Sequence, residues 1–530
     1  MGDRRTFASN SRRLLTVRSS LVVGATLALL ACAVNPVTGE RELALISPAE
    51  EIAIGRAQYA PSQQMQGGAL VSDPRLNAYV AGVGQRLATV SDRALPYEFV
   101  VLNNSVPNAW ALPGGKIAIN RGLLSELDSE AELAAVLGHE IVHAAAGHGR
   151  QAMQRNLILQ GALLAATVAA QRSDYSSLAV GAASIGAQLI NQRYSRDAEL
   201  EADEYGMRYL STAGYDPQAA VALQETFVRL SEGRSQGWLA GLFASHPPSA
   251  ERVERNRAAA SSLPAAGELG QDRYQAALAS LKRNRPAYEA YDQGRTALIE
   301  ERFDDARRLA DEAIRLFPAE PHFHALRGDA DFARDLQSSA IGHYAAAIER
   351  SAEFFYYHLQ KGLAHVAIGQ DDLAELELQA SVDLLPTADA YFGLGRLSEA
   401  RGDRAGALER YGAAAGSSGS SGRAAQDAMA RLELPENPGK YLQLRTTLDA
   451  QGQLLIDVGN PTRVTVMDVG LVIRYVDEQG AIRQISRVLT DTLATGAVLR
   501  LATGLGPFTS ANAYQVAFQS ARVVTDPALR

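Results

Sequence analysis

Residues Ser129 to Arg150 read SEAELAAVLGHEIVHAAAGHGR. The stretch opens with Ser129 and Glu132 at capping-box spacing, and Leu133, Val136, Leu137, Ile141 and Val142 recur at helical intervals, so one helix is expected across it. His139 and His143 then project from one face a turn apart, the spacing at which two imidazoles share a Zn2+ ion. Glu140, one position round from His139, is placed to take a proton from water held at the metal. His-Glu-x-x-His arises by chance in long chains, so the assignment needs a third ligand elsewhere. Six residues after His143 stands Gly149, which excludes a third histidine at that spacing and sends the search downstream.

That search ends at Tyr194-Ser195-Arg196-Asp197-Ala198-Glu199-Leu200-Glu201-Ala202-Asp203, the start of another helix. Glu199 and Asp203, four apart, share a face. Glu199 can complete a His2Glu set with a fourth position left for water, and Asp203 can accept a hydrogen bond from a ligand imidazole and fix its tautomer. A hairpin pattern precedes the histidines: Asn108-Ala109-Trp110-Ala111-Leu112, a Pro113-Gly114-Gly115 turn, then Lys116 to Ile119. An edge strand there can pair with an extended peptide and present its carbonyl to the metal. Further on, Ser245-His246-Pro247-Pro248-Ser249-Ala250-Glu251-Arg252 holds another histidine ahead of a helix.

These motifs together resemble the gluzincin metallopeptidases that include HtpX and the CAAX prenyl endopeptidases, and among them the BepA-like periplasmic branch with tetratricopeptide repeats. The likeness runs from about Asn35 to Arg255. It implies an α+β peptidase domain, one zinc per chain held by His139, His143 and Glu199, Asp203 behind them, and Glu140 as general base. Glu201 is the rival third ligand, but the family pattern sets the ligand at Glu199. The Ser-His-Pro segment corresponds to one that lies over the active site, so His246 and Arg252 are expected either to steady the oxyanion or, for His246, to occupy the open zinc position. His148 falls about 140° round the helix from His143 and reads as supporting structure.

The chain has 530 residues, 47% of them hydrophobic and 21% charged, the composition of several ordinary globular domains. Five arginines and one aspartate lie in the first 31 residues, so the remainder is more acidic than the overall net charge of -8. Such a chain repels polyphosphate, and it carries no nucleotide motif, so neither nucleic acid nor nucleotide is expected as a partner. The arginines precede an apolar run, Leu21 to Ala31, shaped like a signal-peptide core and ending in Leu29-Leu30-Ala31-Cys32. This resembles a bacterial lipobox. Cys32, the only cysteine, would be acylated after removal of residues 1–31, holding the protein to a periplasmic membrane face. Ala33 after it favours the outer membrane of a Gram-negative bacterium. Leu157 to Ala170 and Leu178 to Ile190 read as a packed helical hairpin, each half short for a membrane span.

Beyond Pro286 the chain repeats. Gly294, Gly328 and Gly362 stand 34 residues apart and Gly395 follows; Ala306, Ala340, Ala374 and Ala407 keep the same step, as do Ala310, Tyr344, Leu378 and Tyr411. That period with small residues is the tetratricopeptide pattern, four repeats over 287–416, whose stacked helix pairs form an α-solenoid for protein partners. Gly416 to Gly422, GSSGSSG, reads as a flexible linker spanning about 417–437. Short β-rich segments from 438 to 530, with an Asp477-Glu478-Gln479-Gly480 turn, predict a small β-sandwich.

The expected whole is a multidomain, mainly α protein: leader 1–31, peptidase domain 32–275, repeats 287–416, linker and sandwich. The expected function is a lipid-anchored zinc endopeptidase acting on misfolded or stalled envelope proteins. The rival is a chaperone or assembly scaffold working through its repeats with a regulatory zinc site.

Overall fold

The computed structural model describes residues 32–168, 193–233, 246–264, 267–477 and 479–524. The expected leader and the Leu178 to Ile190 half of the hairpin lie outside them. The chain forms two compact units, Met1–Tyr357 and His358–Arg530.

In the first unit a short antiparallel ladder, β1 (Cys32–Val34) with β2 (Arg41–Leu43), leads into α1 (Pro48–Met65) and α2 (Pro74–Ala88). A three-stranded sheet follows: β3 (Glu98–Leu102), β4 (Ala109–Leu112) and β5 (Lys116–Asn120), in the order β3-β5-β4. The expected hairpin is β4 with β5, and β4 ends the sheet. Strand alternation splits its side chains. Ala109 and Ala111 join the main core, whereas Trp110 and Leu112 pack with Leu102 and Ala118 against Ile54 and Tyr59 of α1.

The unit continues with α3 (Glu130–Ala145), α4 (His148–Val168), α5 (Arg196–Thr212), α6 (Gln218–Gly233) and α7 (Ala250–Ser261). Ser129 caps α3 by accepting from the Glu132 nitrogen, and Glu132 reaches back one residue further than expected, to the nitrogen of Asp128. The single helix expected over Ser129 to Arg150 is two. Gly147 adopts a left-handed φ of 71°, cheap only for glycine, and α4 starts afresh at His148. The apolar face expected of this helix is also too narrow a description, since every residue of α3 except His139 is buried. Its alanines let neighbours approach from all sides. Against α5 the approach is backbone to backbone: a methyl on Gly206 would lie 3.0 Å from the His139 nitrogen, and one on Gly138 3.1 Å from the Gly206 carbonyl oxygen.

Helix pairs come next. α8 (Arg285–Ile299) with α9 (Phe303–Leu316) and α10 (Pro321–Phe332) with α11 (Gln337–Arg350) belong to the first unit. Its core runs without a break from Leu137 through Tyr274 to Phe323 and Ala330. Glu320, fully buried, ties these pairs to the sheet: it accepts from Ser72 at 2.7 Å, Asn103 at 2.7 Å and Tyr288 at 2.9 Å. The Arg121 guanidinium lies 3.8 Å over the Tyr288 ring and donates to Asn103.

α12 (Phe355–Ala367) with α13 (Asp371–Leu384) and α14 (Ala388–Ala400) with α15 (Arg404–Ala415) complete the four pairs. The periodic residues now have a packing reason. A methyl on Gly328 would meet the Tyr344 ring at 2.6 Å, on Gly362 Leu378 at 2.7 Å, and on Gly395 the Tyr411 ring at 2.6 Å. The flexible linker expected over 417–437 is instead mostly helix, α16 (Ser420–Glu433). Its glycines and serines supply only the start; Ala425 and Ala428 pack on Ala407, Tyr411 and Ala414, and that burial decides the conformation.

The second unit ends in two three-stranded antiparallel sheets. One is β6 (Gln443–Leu448), β7 (Leu454–Gly459) and β10 (Val498–Ala502); the other is β8 (Val466–Val476), β9 (Ile482–Leu489) and β11 (Tyr514–Val523). Leu454, Ile456 and Val458 of one and Val466, Leu471 and Ile473 of the other share a core, a β-sandwich arrangement.

Candidate metal centre

Three elements deliver the site. α3 carries His139, Glu140 and His143; α5, capped by Ser195, carries Glu199 and Asp203; and the chain entering α7 brings His246, with Arg252 in that helix's first turn. His139, His143, Glu199 and His246 each place one donor atom within 4.8 Å of the others. His139 Nε2 lies 3.0 Å from His143 Nε2, 3.3 Å from His246 Nδ1 and 3.5 Å from Glu199 Oε2. Glu199 Oε1 lies 3.3 Å from His143 Nε2 and 2.9 Å from His246 Nδ1. A tetrahedron with bonds of about 2.0–2.1 Å has edges of about 3.3–3.4 Å, so this donor set fits a zinc ion.

The outer nitrogens show the same preparation. His139 Nδ1 sits 3.0 Å from Asp203 Oδ1, and because a carboxylate only accepts, that nitrogen carries the hydrogen and leaves Nε2 a free lone pair. His143 Nδ1 sits 2.8 Å from His148 Nδ1, and His148 Nε2 lies 3.4 Å from Glu201. His148 thus supports His143 from a different helix, through the break at Gly147 rather than round a continuous one. Glu201 is that histidine's partner and not a donor of the cluster. Tyr194 stacks on the His143 ring at 4.0 Å.

Arg252 is spent behind the site. Its Nε and an Nη each donate to Asp203 at 2.7 Å, and it also lies 2.9 Å from Glu199 and donates to the Pro247 carbonyl at 3.2 Å. These contacts use four of the guanidinium's five N–H groups, most of them on carboxylates. His246 is buried among the donors, 3.5 Å from Glu140. It is one of the four residues whose donor atoms could hold a metal ion.

Burial alone would raise the Glu199 carboxyl, but His246, His139 and His143 hold it well below the usual range. Burial likewise opposes the charge on Asp203, and the Arg252 guanidinium overcomes it and keeps that carboxyl low. Glu140 goes the other way. Its burial outweighs the nearby histidines and raises it, and its Oε2 has no hydrogen-bond partner. An unpaired buried carboxylate oxygen is costly to maintain and ready to accept a proton.

The cavity at the centre is about 30 Å3, bordered by Ala109, His139, Glu140, Asp203, His246 and Arg252. Of the strand residues singled out, Ala109 borders it, Ala111 packs in the core behind, and Trp110 points to the opposite face of the sheet, 6.2 Å from the Tyr59 ring. Asn108, just ahead of the strand, is buried with its Oδ1 unpartnered. Three contributors gave no signal in the sequence. Tyr194 looked like a neighbour of the motif, Gln224 of α6 approaches Asp203 at 3.5 Å, and Arg93, paired with Glu51, reaches the last carbonyls of α3 at 3.4 and 3.5 Å.

Residues 74–260 match peptidase family M48. Metalloprotease YcaL of Escherichia coli K12 is 35% identical over 186 residues, covering 33% of this chain and 68% of that one. The chain belongs to peptidase family M48. A putative beta-barrel assembly-enhancing protease of Vibrio cholerae is 33% identical over 205 residues, 37% of this chain, and the match spans only 41% of that relative's length. The mitochondrial metalloendopeptidase OMA1 of Arabidopsis thaliana is 33% identical over 168 residues, 31% of this chain and 32% of the relative. Among solved structures, the crystal structure of MamA is 19% identical with a TM-score of 0.24, covering 31% of this chain and 90% of that one; the repeat assignment rests on the helix pairs themselves. The family is zinc-dependent, and the donor set described above accommodates that metal.

Proposed function

We propose that the chain is a zinc metalloendopeptidase of the bacterial envelope, cleaving misfolded or stalled proteins that its repeats help to hold. The convergence of His139, His143 and Glu199 beside Glu140, whose Oε2 has no hydrogen-bond partner, carries this reading. When bound, zinc supplies a Lewis acid for the scissile carbonyl and the attacking water. Glu140 takes the water's proton and passes it to the leaving amine, and burial, which raises its proton affinity, helps it hold that proton between the two transfers. Asp203 and His148 keep the two imidazoles in the ligand tautomer, while Arg252 steadies Asp203 and Glu199. The outer side of β4, with Asn108 just ahead of it, takes the substrate as an added strand beside the site once the elements covering it give way. His246 fills the resting site and withdraws as a substrate enters.

The same reading assigns residues 1–31 as a leader, Cys32 as an acylated residue holding the protein to the outer membrane from the periplasm, and 32–275, 287–416 and 438–530 as peptidase, repeat and accessory domains. Relatives named as beta-barrel assembly-enhancing proteases support the envelope role. One observation favours the scaffold alternative, in which the repeats act and zinc regulates: the cavity at the donors, about 30 Å3 among the described residues, is smaller than a peptide segment. Two variants separate the readings. Glu140→Gln should keep zinc and lose cleavage of an unfolded polypeptide, and it should fail to complement a null strain. Complementation by Glu140→Gln, but not by a chain lacking 287–416, would establish the scaffold instead.

A further inference from the structure

The N-terminal ladder is fastened to the first turns of α4, directly behind the zinc helix. Gln154 is the clasp: its Oε1 accepts from the nitrogens of Leu45 and Ile46, and its Nε2 donates to the Leu43 carbonyl at 2.9 Å. Arg150 pairs with Glu42, and Asn35 reaches the Ala146 carbonyl at 3.5 Å. These contacts satisfy polar groups and leave apolar ones in solvent. Val34 is 61% exposed, Leu43 41%, Leu45 49%, Leu157 54% and Ile158 48%. Leu157 and Ile158 follow Gln154 by three and four residues, so they share its face of α4 one turn on. Leu43 and Leu45 flank the same glutamine, and Val34, opposite Arg41, lies on the Leu43 side of the ladder. A single exposed leucine is ordinary, whereas a contiguous group marks an interaction surface.

The preceding chain indicates what covers it. Leu43 pairs across the ladder with Cys32, and the residues just before Cys32 are the apolar run Leu21 to Ala31. Whether that run is kept or replaced by acyl chains on Cys32, a membrane-seeking group begins beside Leu43. Arg41 and Arg155, both exposed, flank the patch with charges suited to anionic headgroups.

We propose that Val34, Leu43, Leu45, Leu157 and Ile158 form a bilayer-contact face that seats the clasped ladder and α4 on a phospholipid surface. The face thereby holds the zinc helix at the membrane, oriented toward segments of protein emerging there. This rests on the anchoring reading only for the tether; the anchor supplies attachment and the face supplies orientation.

The test uses the full chain mixed with vesicles of phosphatidylethanolamine and phosphatidylglycerol, with Asn156→Cys or, elsewhere on the first unit, the exposed Asp304→Cys carrying the fluorophore NBD. The expected result is a blue shift on vesicle addition and strong quenching by nitroxide lipids at position 156 but not at 304. Leu157→Ser/Ile158→Ser should bring position 156 down to the level of 304 while cleavage of a soluble peptide is unchanged. Equal quenching at the two positions overturns the proposal. So does a probe at 156 already shielded without vesicles, since residues 159–190 or a second copy would then cover the patch. Maleimide labelling of the otherwise unmodified chain reads the tether separately: acylated Cys32 does not react. If it reacts, the anchoring reading fails, and the probe measurements are made in a Cys32→Ser background, where they decide the face alone.

Discussion

Replacing Gly206 by alanine should loosen the metal centre without touching a ligand. The added methyl would stand 3.0 Å from the His139 nitrogen and 3.2 Å from the Gly138 carbonyl carbon and the His139 Cα. Those are backbone atoms of a buried helix, about 0.5 Å inside ordinary contact, so no side-chain rotation relieves them. Two terms oppose each other. Alanine gains about 0.8–1 kcal/mol of helix propensity over glycine, whereas overpacking a tight crossing costs about 1–3 kcal/mol. The net expectation is a loss of about 1 kcal/mol in stability. The larger effect falls on zinc, because separating α3 from α5 moves His139 and His143 away from Glu199 and stretches the Asp203 contact. Disturbing such supporting contacts typically lowers affinity about 10–100-fold. Chelator competition reads the zinc dissociation constant, and thermal unfolding of the chelated protein reads the stability. Gly82→Ala in α2, where the methyl meets nothing within 4 Å, serves as the control and should be stabilised by about 0.5–1 kcal/mol. Wild-type zinc affinity together with raised stability in Gly206→Ala would refute the reasoning.

Arg252→Ala should leave Asp203 and Glu199 buried without their cation and cost the metal-free protein about 3–5 kcal/mol, with saturating zinc restoring part of it; chemical denaturation with and without zinc checks this. Glu320→Ala should lower the stability of the first unit by about 2–4 kcal/mol, since Ser72, Asn103 and Tyr288 lose a shared acceptor in the core, a change readable in denaturant midpoints. Asp329, pushed up to about 6 by burial although Tyr344 and Tyr356 donate to it, binds its proton more tightly folded than unfolded. Its contribution is therefore fully present below the unfolded value near 3.8 and is lost as pH rises through about 6, about 3 kcal/mol in all. Asp329→Asn should remove that fall, and the difference between the two stability profiles over pH 4 to 6 tests the sign.

Much of the site was legible because its chemistry is local. His139, Glu140 and His143 sit on one turn and Glu199 and Asp203 on another, so spacing on a helix put each set on one face, while the choice of Glu199 over Glu201 came from the family resemblance. Gly147 was the point where that reasoning failed: a helical wheel drawn through it misplaced His148, whose contact with His143 depends on the chain breaking and restarting. The contacts of Arg252 with Asp203 and Glu199 were not legible, because they are brought to it only by the packing of α7 on α5. The repeats were readable since each periodic glycine receives a large residue from the next helix, a constraint that recurs. The seven residues GSSGSSG misled because local composition was weighed without the alanine face that follows it.

The central claim is that α3 and α5 together hold one zinc ion while Glu140 moves the proton. It is tested most directly by measuring zinc content and cleavage of an unfolded polypeptide in the same preparations of wild type, Glu140→Gln and Glu199→Ala. One zinc per chain in wild type and Glu140→Gln, little in Glu199→Ala, and cleavage by wild type alone is the predicted result. Full zinc in Glu199→Ala, or cleavage by Glu140→Gln at the wild-type rate, would contradict the account.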